Sequence, residues 1–210
     1  MKQIMKYLIN SILAGIMIAI GGTVFLSLDN KIAGAIFFAI GLFIIVTKSL
    51  NLYTGKVGYI FDNDLKYVIE VLTTIVGNFI GTFLVGFILQ FTRIYTAINE
   101  KAQGMCNAKL NDNIISILIL SILCGLLMYL AVNGYKEMKD SIGKYASVFL
   151  GVIVFILCGF EHSIANMYYF SVAGMWSIQA FGYLFIMILG NGIGGVIFPL
   201  CDKAKKYFEK

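Results

Sequence analysis

The chain has a single histidine, His162, within Gly159-Phe160-Glu161-His162-Ser163-Ile164-Ala165-Asn166. An imidazole can donate a hydrogen bond to an anion, or pass it a proton, near neutral pH. Lone histidines are often satisfied core residues. This one stands in a polar, irregular stretch between apolar runs, where an ionisable group is costly to bury and therefore a functional candidate. Beside it, Glu161 is read as a carboxylate that anchors irregular backbone by accepting amide hydrogen bonds; a second proton-carrying group is the other reading. A matching stretch, Thr47-Lys48-Ser49-Leu50-Asn51-Leu52-Tyr53-Thr54-Gly55-Lys56, lies earlier in the chain. Its Lys48 and Lys56 either face a vestibule or snorkel and pair. The four cysteines match no metal or redox spacing; Cys124 and Cys158, inside apolar runs, read as packing residues.

The elements that must hold these residues are membrane helices. Of 210 residues, 60% are hydrophobic and 13% charged, with a mean hydropathy of +0.88. A soluble domain of this length cannot hide so much apolar surface, so a lipid bilayer is the main solvent. The net charge of +5 does not point to nucleic acid, because the lysines sit at chain ends and in short loops. Apolar segments fall at about 8–28, 32–46, 68–91, 113–132, 146–160 and 177–200. The first is long enough to span and is read as a helix rather than a cleaved leader. The second and fifth are too short alone, and each runs into one of the two polar stretches. Both are read as helices broken in mid-membrane.

The halves resemble one another. Ser11-Ile12-Leu13-Ala14-Gly15 recurs as Ser121-Ile122-Leu123-Cys124-Gly125, and Gly77-Asn78-Phe79-Ile80-Gly81 as Gly190-Asn191-Gly192-Ile193-Gly194. The two polar stretches share the same offset of about 110 residues. Three spans per half is an odd number, so the halves have opposite orientation. The expected fold is all-α, one channel domain over 1–210. Its six transmembrane helices form an inverted 3+3 repeat, with halves at about 1–92 and 112–210. Broken helices at matching places in such repeats mark a transport site, and their free N-terminal N–H groups attract anions. The small-residue pairs Gly77/Gly81 and Gly190/Gly194 suit close helix packing. Six spans place both termini on one side, with Lys2, Lys6, Lys66, Lys136, Lys139, Lys144 and the four lysines from Lys203 to Lys210. That side is the cytoplasm of a bacterial inner membrane, because positive charge stays inside. The stretch from Arg93 to Asp112 is then external and carries a surface helix.

The run Gly159 to Met167 resembles the signature of the formate/nitrite transporter family. Leu52-Tyr53-Thr54-Gly55 is similar to that family's other pore loop, usually written with Phe at the second place. The resemblance covers nearly the whole chain. It implies an aquaporin-like protomer, a homopentamer with one pore per subunit, and two hydrophobic constrictions around a central histidine. Carried over by position, Leu52 and Phe155 would form the outer constriction, and Phe38 and Leu42 the cytoplasmic one. Thr54 would orient His162, Asn166 belongs to the signature run, and Lys109 resembles a lysine at the start of the fourth helix whose charge reaches the outer vestibule. The chain departs from the pattern at Gly125, often Asn, at Phe170-Ser171, where a proline is usual, and in the first polar stretch, which lacks a glycine-acidic pair. A short chain with such a pore resembles the hydrosulfide-channel branch.

The expected function is passage of small monovalent anions (hydrosulfide, formate, nitrite or chloride), passive or proton-linked. A bare anion loses its hydration at apolar rings, which costs many kcal/mol; crossing as the neutral acid avoids this. A water or glycerol channel also fits an inverted repeat, but the paired Asn-Pro-Ala motifs are missing and the only proline is Pro199. An enzyme is not expected: one histidine cannot give bis-histidine haem ligation, no Ser/His or metal cluster has catalytic spacing, and no cofactor is implied.

Overall fold

A computed structural model describes residues 2–209, with side-chain surroundings from residue 4 onward. Lys210 and the side chain of Lys2, counted above in the charge asymmetry, lie outside the described residues. Helix α1 runs Lys2–Ser27, α2 Lys31–Phe38, α3 Ile40–Thr47 and α4 Tyr53–Lys56, followed by a 3-10 helix over Val57–Asp62. Then come α5 Leu65–Leu89, α6 Tyr95–Leu110, α7 Ile114–Glu137, α8 Ser141–Cys158, α9 Ser163–Ala173 and α10 Ile178–Phe208. No strand occurs among the described residues.

The helix starts follow capping chemistry. Asn30, Asp64, Asn113, Asp140 and Ser177 each accept a backbone N–H from the first turn that follows, as short polar side chains do at N-caps. Asp140 starts α8 five residues before the apolar run expected from sequence, because Gly143 and Lys144 mask that first turn. Gly159 ends α8 at φ 70°, a left-handed conformation that glycine adopts without steric cost.

Five helices, α1, α5, α7, α8 and α10, are long and apolar enough to cross a membrane. The sequence reading counted six spans. The sixth segment is the pair α2 and α3, interrupted at Ala39 and shorter than the others. Seventeen residues from Lys31 to Thr47 rise about 25 Å as helix, short of a hydrocarbon core of about 30 Å. Between Arg93 and Asp112 lies α6, which buries Ile98, Ala102 and Cys106 against the bundle.

Two crossings organise the bundle, α1 on α5 and α7 on α10. A Cβ on Gly15 would overlap the backbone carbonyl of Asn78, and one on Gly125 that of Asn191. Helix α9 sits at the centre, with every residue from Ser163 to Ala173 buried. Both chain ends belong to one end of the bundle. There Lys56 stacks over the rings of Tyr7 and Tyr67, Lys136 over Tyr59, and Lys203 pairs with Asp62. The far end carries Lys101 on Asp29 and Tyr183 on the carbonyl of Asp112. All four cysteines are free; Cys124 is buried, whereas Cys158, expected to pack, is exposed at the last turn of α8.

Candidate functional site

The chain leaves helical form at 48–52 and again at 159–162, and the two loops meet. Thr54, fully buried, places Oγ1 3.0 Å from His162 Nε2 across 108 residues of sequence. His162 is 2% exposed. Its Nδ1 accepts the backbone N–H of Ala165 at 3.1 Å, so Nδ1 carries no proton. The proton of the neutral ring is therefore on Nε2, and it points at Thr54. Phe155 stacks on the imidazole with ring centroids 5.4 Å apart, and Phe38 meets Phe155 edge-on at 5.8 Å.

Each loop is fastened by an asparagine. Asn78 Oδ1 accepts the N–H of Tyr53 at 3.0 Å, while its Nδ2 donates to the carbonyls of Ser11 at 2.7 Å and Asn51 at 2.9 Å. Asn191 Oδ1 accepts the N–H of Ser163 at 2.8 Å, while its Nδ2 donates to the carbonyls of Ser121 and Glu161, each at 2.8 Å. The six partners correspond pair by pair in the two halves. The sequence showed both asparagines inside the repeated Gly-Asn pattern, and that repetition was the available signal for their role.

These bonds change one expectation. The helix starts at Tyr53 and Ser163 do not offer all their N–H groups to a ligand. Asparagine side chains take the first amide of each, and the His162 ring takes that of Ala165. Glu161 changes too. Its carboxylate accepts Lys109 Nζ at 2.8 and 2.7 Å and Asn166 Nδ2 at 2.6 Å, all side-chain donors; holding the backbone falls to Asn191. Lys109 lies in the last turn of α6, just before α7, and is bound by this pair with its side chain only 12% exposed. Asn166 Nδ2 also approaches Met187 Sδ at 3.1 Å.

Two cavities flank the Thr54–His162 contact. The far-end cavity, about 210 Å³, is lined by Lys31, Phe155, His162, Asn166 and Tyr169 among others. The other, about 230 Å³, opens at the end that carries the termini and is lined by Leu52, Lys56 and Lys136 among others. The expected pairings of apolar rings therefore shift. Phe155 and Phe38 are together near the far cavity, whereas Leu52 faces the opposite one. Leu42 is buried and lines neither. No group of His, Cys, Asp or Glu able to hold a metal ion occurs among the described residues.

A sequence model of formate/nitrite transporters matches residues 1–201 of this chain. The chain belongs to the formate/nitrite transporter family. Its relatives within the family are distant. A formate-nitrite transporter of Plasmodium knowlesi is 33% identical over 114 residues, which is 51% of this chain and 35% of that protein. The matched region thus spans about a third of the parasite protein's length. An uncharacterized transporter of Bacillus subtilis, YrhG, is 24% identical over 80% of this chain and 69% of its own. Among solved structures, a pentameric formate channel with formate bound superposes with a TM-score of 0.82 at 23% identity, covering 99% of this chain and 98% of that one. An ion channel of the same family gives a TM-score of 0.81 at 21% identity, over 92% of this chain and 87% of that one. The family is one of membrane-embedded transporters, and the likeness to these channels establishes the fold.

Proposed function

We propose that this chain forms one pore of a homopentameric channel for small monovalent anions in a bacterial inner membrane, with both termini cytoplasmic. In this reading α1 to α5 and α7 to α10 are the halves of an inverted 3+3 repeat, each with one helix broken at mid-depth, as in an aquaporin-like protomer. The cavity at the terminal end is the cytoplasmic vestibule and the other the outer one. Phe38 and Phe155 narrow the outer path, and Leu52, with Leu42 behind it, the inner path. Between them lies the pair that carries the proposal, Thr54 and His162, 3.0 Å apart.

The chemistry follows from the tautomer. With Nδ1 occupied by the N–H of Ala165, the neutral ring has one N–H to give, at Nε2. Surrendering that proton would leave an imidazolate, so the ring acts as a fixed hydrogen-bond donor. Thr54 Oγ1 accepts from it, which leaves the threonine O–H free to donate to an anion. An anion held there is partly neutralised by dipoles in place of its lost water. Where it crosses the apolar rings as the neutral acid, its proton comes from water in the vestibule. Hydrosulfide, whose conjugate acid has a pKa near neutral, is favoured over formate, nitrite and chloride on this ground. The Glu161–Lys109 pair is electrically balanced, so the carboxylate close to His162 does not repel the ligand.

The test is flux of sulfide, formate, nitrite and chloride in proteoliposomes from mildly acid to mildly alkaline pH, for the wild type, His162→Phe and Thr54→Val. The expected result is anion flux that rises as pH falls and is reduced in both variants. Water or glycerol flux without anion flux, or variants indistinguishable from wild type, would refute the assignment.

A further inference from the structure

The cavity at the terminal end is lined by two lysines, and no carboxylate pairs with either among the described residues. Lys56 and Lys136 both line it, together with Ser49, Asn51, Leu52 and Tyr135. Neither lysine makes a salt bridge among the described residues; the ion pairs there are those of Lys101, Lys109, Lys203 and Lys205. Aromatic faces hold them instead. Lys56 Nζ lies 5.0 Å from the ring centre of Tyr7 and 5.8 Å from that of Tyr67, and Lys136 Nζ lies 3.8 Å from that of Tyr59. A ring attracts a cation through its quadrupole without cancelling its charge.

The nearby acidic groups do not remove the charge. Glu70 makes no salt bridge with either lysine among the described residues. Glu137 lines a different cavity, on the opposite side of α7, and Asp62 is taken by Lys203. Two positive charges thus face one cavity of about 230 Å³, with the amide of Asn51 and the hydroxyls of Ser49 and Tyr135 around them. Like charges placed together are unfavourable unless something negative sits between them. A monovalent anion would leave one charge unmatched; a divalent anion matches both.

We propose that this cavity is a binding site for a divalent oxyanion, a sulfate or phosphate group, which sits between Lys56 and Lys136 and closes the terminal mouth of the pore. Leu52 in the cavity wall is two residues from Thr54, so an occupant stands directly in the path to the central pair. It cannot go further, because the cost of dehydrating an ion grows with the square of its charge. The site therefore blocks and is not a transport station. The occupant is a free sulfate or hydrogenphosphate ion, because the phosphodiester of a lipid headgroup carries a single charge. The flux readout rests on the anion-channel reading; a binding readout does not.

Flux of a monovalent anion is measured in vesicles of phosphatidylcholine alone, with sulfate or phosphate added to one side at constant ionic strength. The wild type is expected to be blocked only from the side bearing the termini. In Lys56→Met and Lys136→Met the half-blocking concentration rises roughly tenfold or more, as expected for losing one charge-assisted hydrogen bond, while unblocked flux is retained. Lys56→Arg keeps the charge and restores block. Retained unblocked flux also shows that the variants fold. Block that is equal from both sides, or unchanged in the methionine variants, overturns the site. Equilibrium binding of radiolabelled sulfate to solubilised protein is measured alongside. If the wild type carries no anion yet binds sulfate, and Lys56→Met does not, the transport reading fails and the site stands. If wild type and Lys56→Met bind sulfate equally, or neither binds it, the site fails.

Discussion

Replacing Lys109 by methionine removes the partner of a buried carboxylate. Glu161 has a side chain 5% exposed and takes both Lys109 hydrogen bonds, at 2.8 and 2.7 Å, leaving only Asn166 at 2.6 Å. Breaking a buried pair from one side costs roughly 3–5 kcal/mol, since an uncompensated charge remains. For a protein of this size that lowers the melting temperature by on the order of 10 °C. Adding Glu161→Gln removes the orphan charge while keeping a side chain that can bond Asn166. The double variant Lys109→Met/Glu161→Gln should therefore be the more stable of the two, recovering most of the loss. Thermal unfolding of wild type, both single variants and the double variant in detergent gives the coupling. Anion flux on the same four proteins separates two roles for Lys109. If the lysine acts by balancing Glu161, flux returns in the double variant. If its own charge draws anions in, flux stays low. A double variant no more stable than Lys109→Met would refute the argument that the pair is held by mutual charge compensation.

Asn78→Ala and Asn191→Ala each remove three buried hydrogen bonds; at about 1 kcal/mol apiece each should destabilise by roughly 3 kcal/mol, and by similar amounts, in thermal unfolding. Gly125→Ala drives a Cβ into the Asn191 carbonyl and should abolish recovery of folded protein on size-exclusion chromatography. Gly104→Ala, in α6 with nothing within 4 Å of the new atom, should raise stability by up to about 1 kcal/mol.

The sequence made the long helices legible, because lipid demands continuous apolar runs and charge is confined between them. It also singled out His162, through polar residues where apolar ones were due; its pairing with Thr54, 108 residues away in sequence and 3.0 Å away in space, came from the family resemblance. It did not reveal that Lys109 would be bound by Glu161, since a pair between α6 and the 159–162 loop depends on how α6 folds back over the bundle. Nor did it reveal that Asn78 and Asn191 hold the loops. An asparagine in a glycine-rich helix reads as packing until its partners, on two other segments, are known. The regrouping of Phe38 with Phe155, away from Leu52, is likewise a matter of depth along the bundle, which position in the chain does not encode. The α2–α3 segment was legible as too short to span alone; Asn30 caps it at one end and Lys48 closes it at the other.

The asparagine fastenings also dictate a sequence of events during synthesis. Asn78 bonds Ser11 and Asn51 together, so the carbonyl of Asn51 has no such partner until α5 has emerged and docked on α1. Until then the 48–52 loop must stay where water can serve its amides and carbonyls. The second loop waits in the same way for α10, whose Asn191 bonds Ser121 and Glu161. Each loop is therefore completed by the later helix, α5 or α10, that closes over it. A chain stalled before α10 would hold a fastened 48–52 loop beside an unfastened 159–162 loop. Until α10 docks, the carbonyl of Glu161 and the N–H of Ser163, on either side of His162, lack the asparagine that holds them.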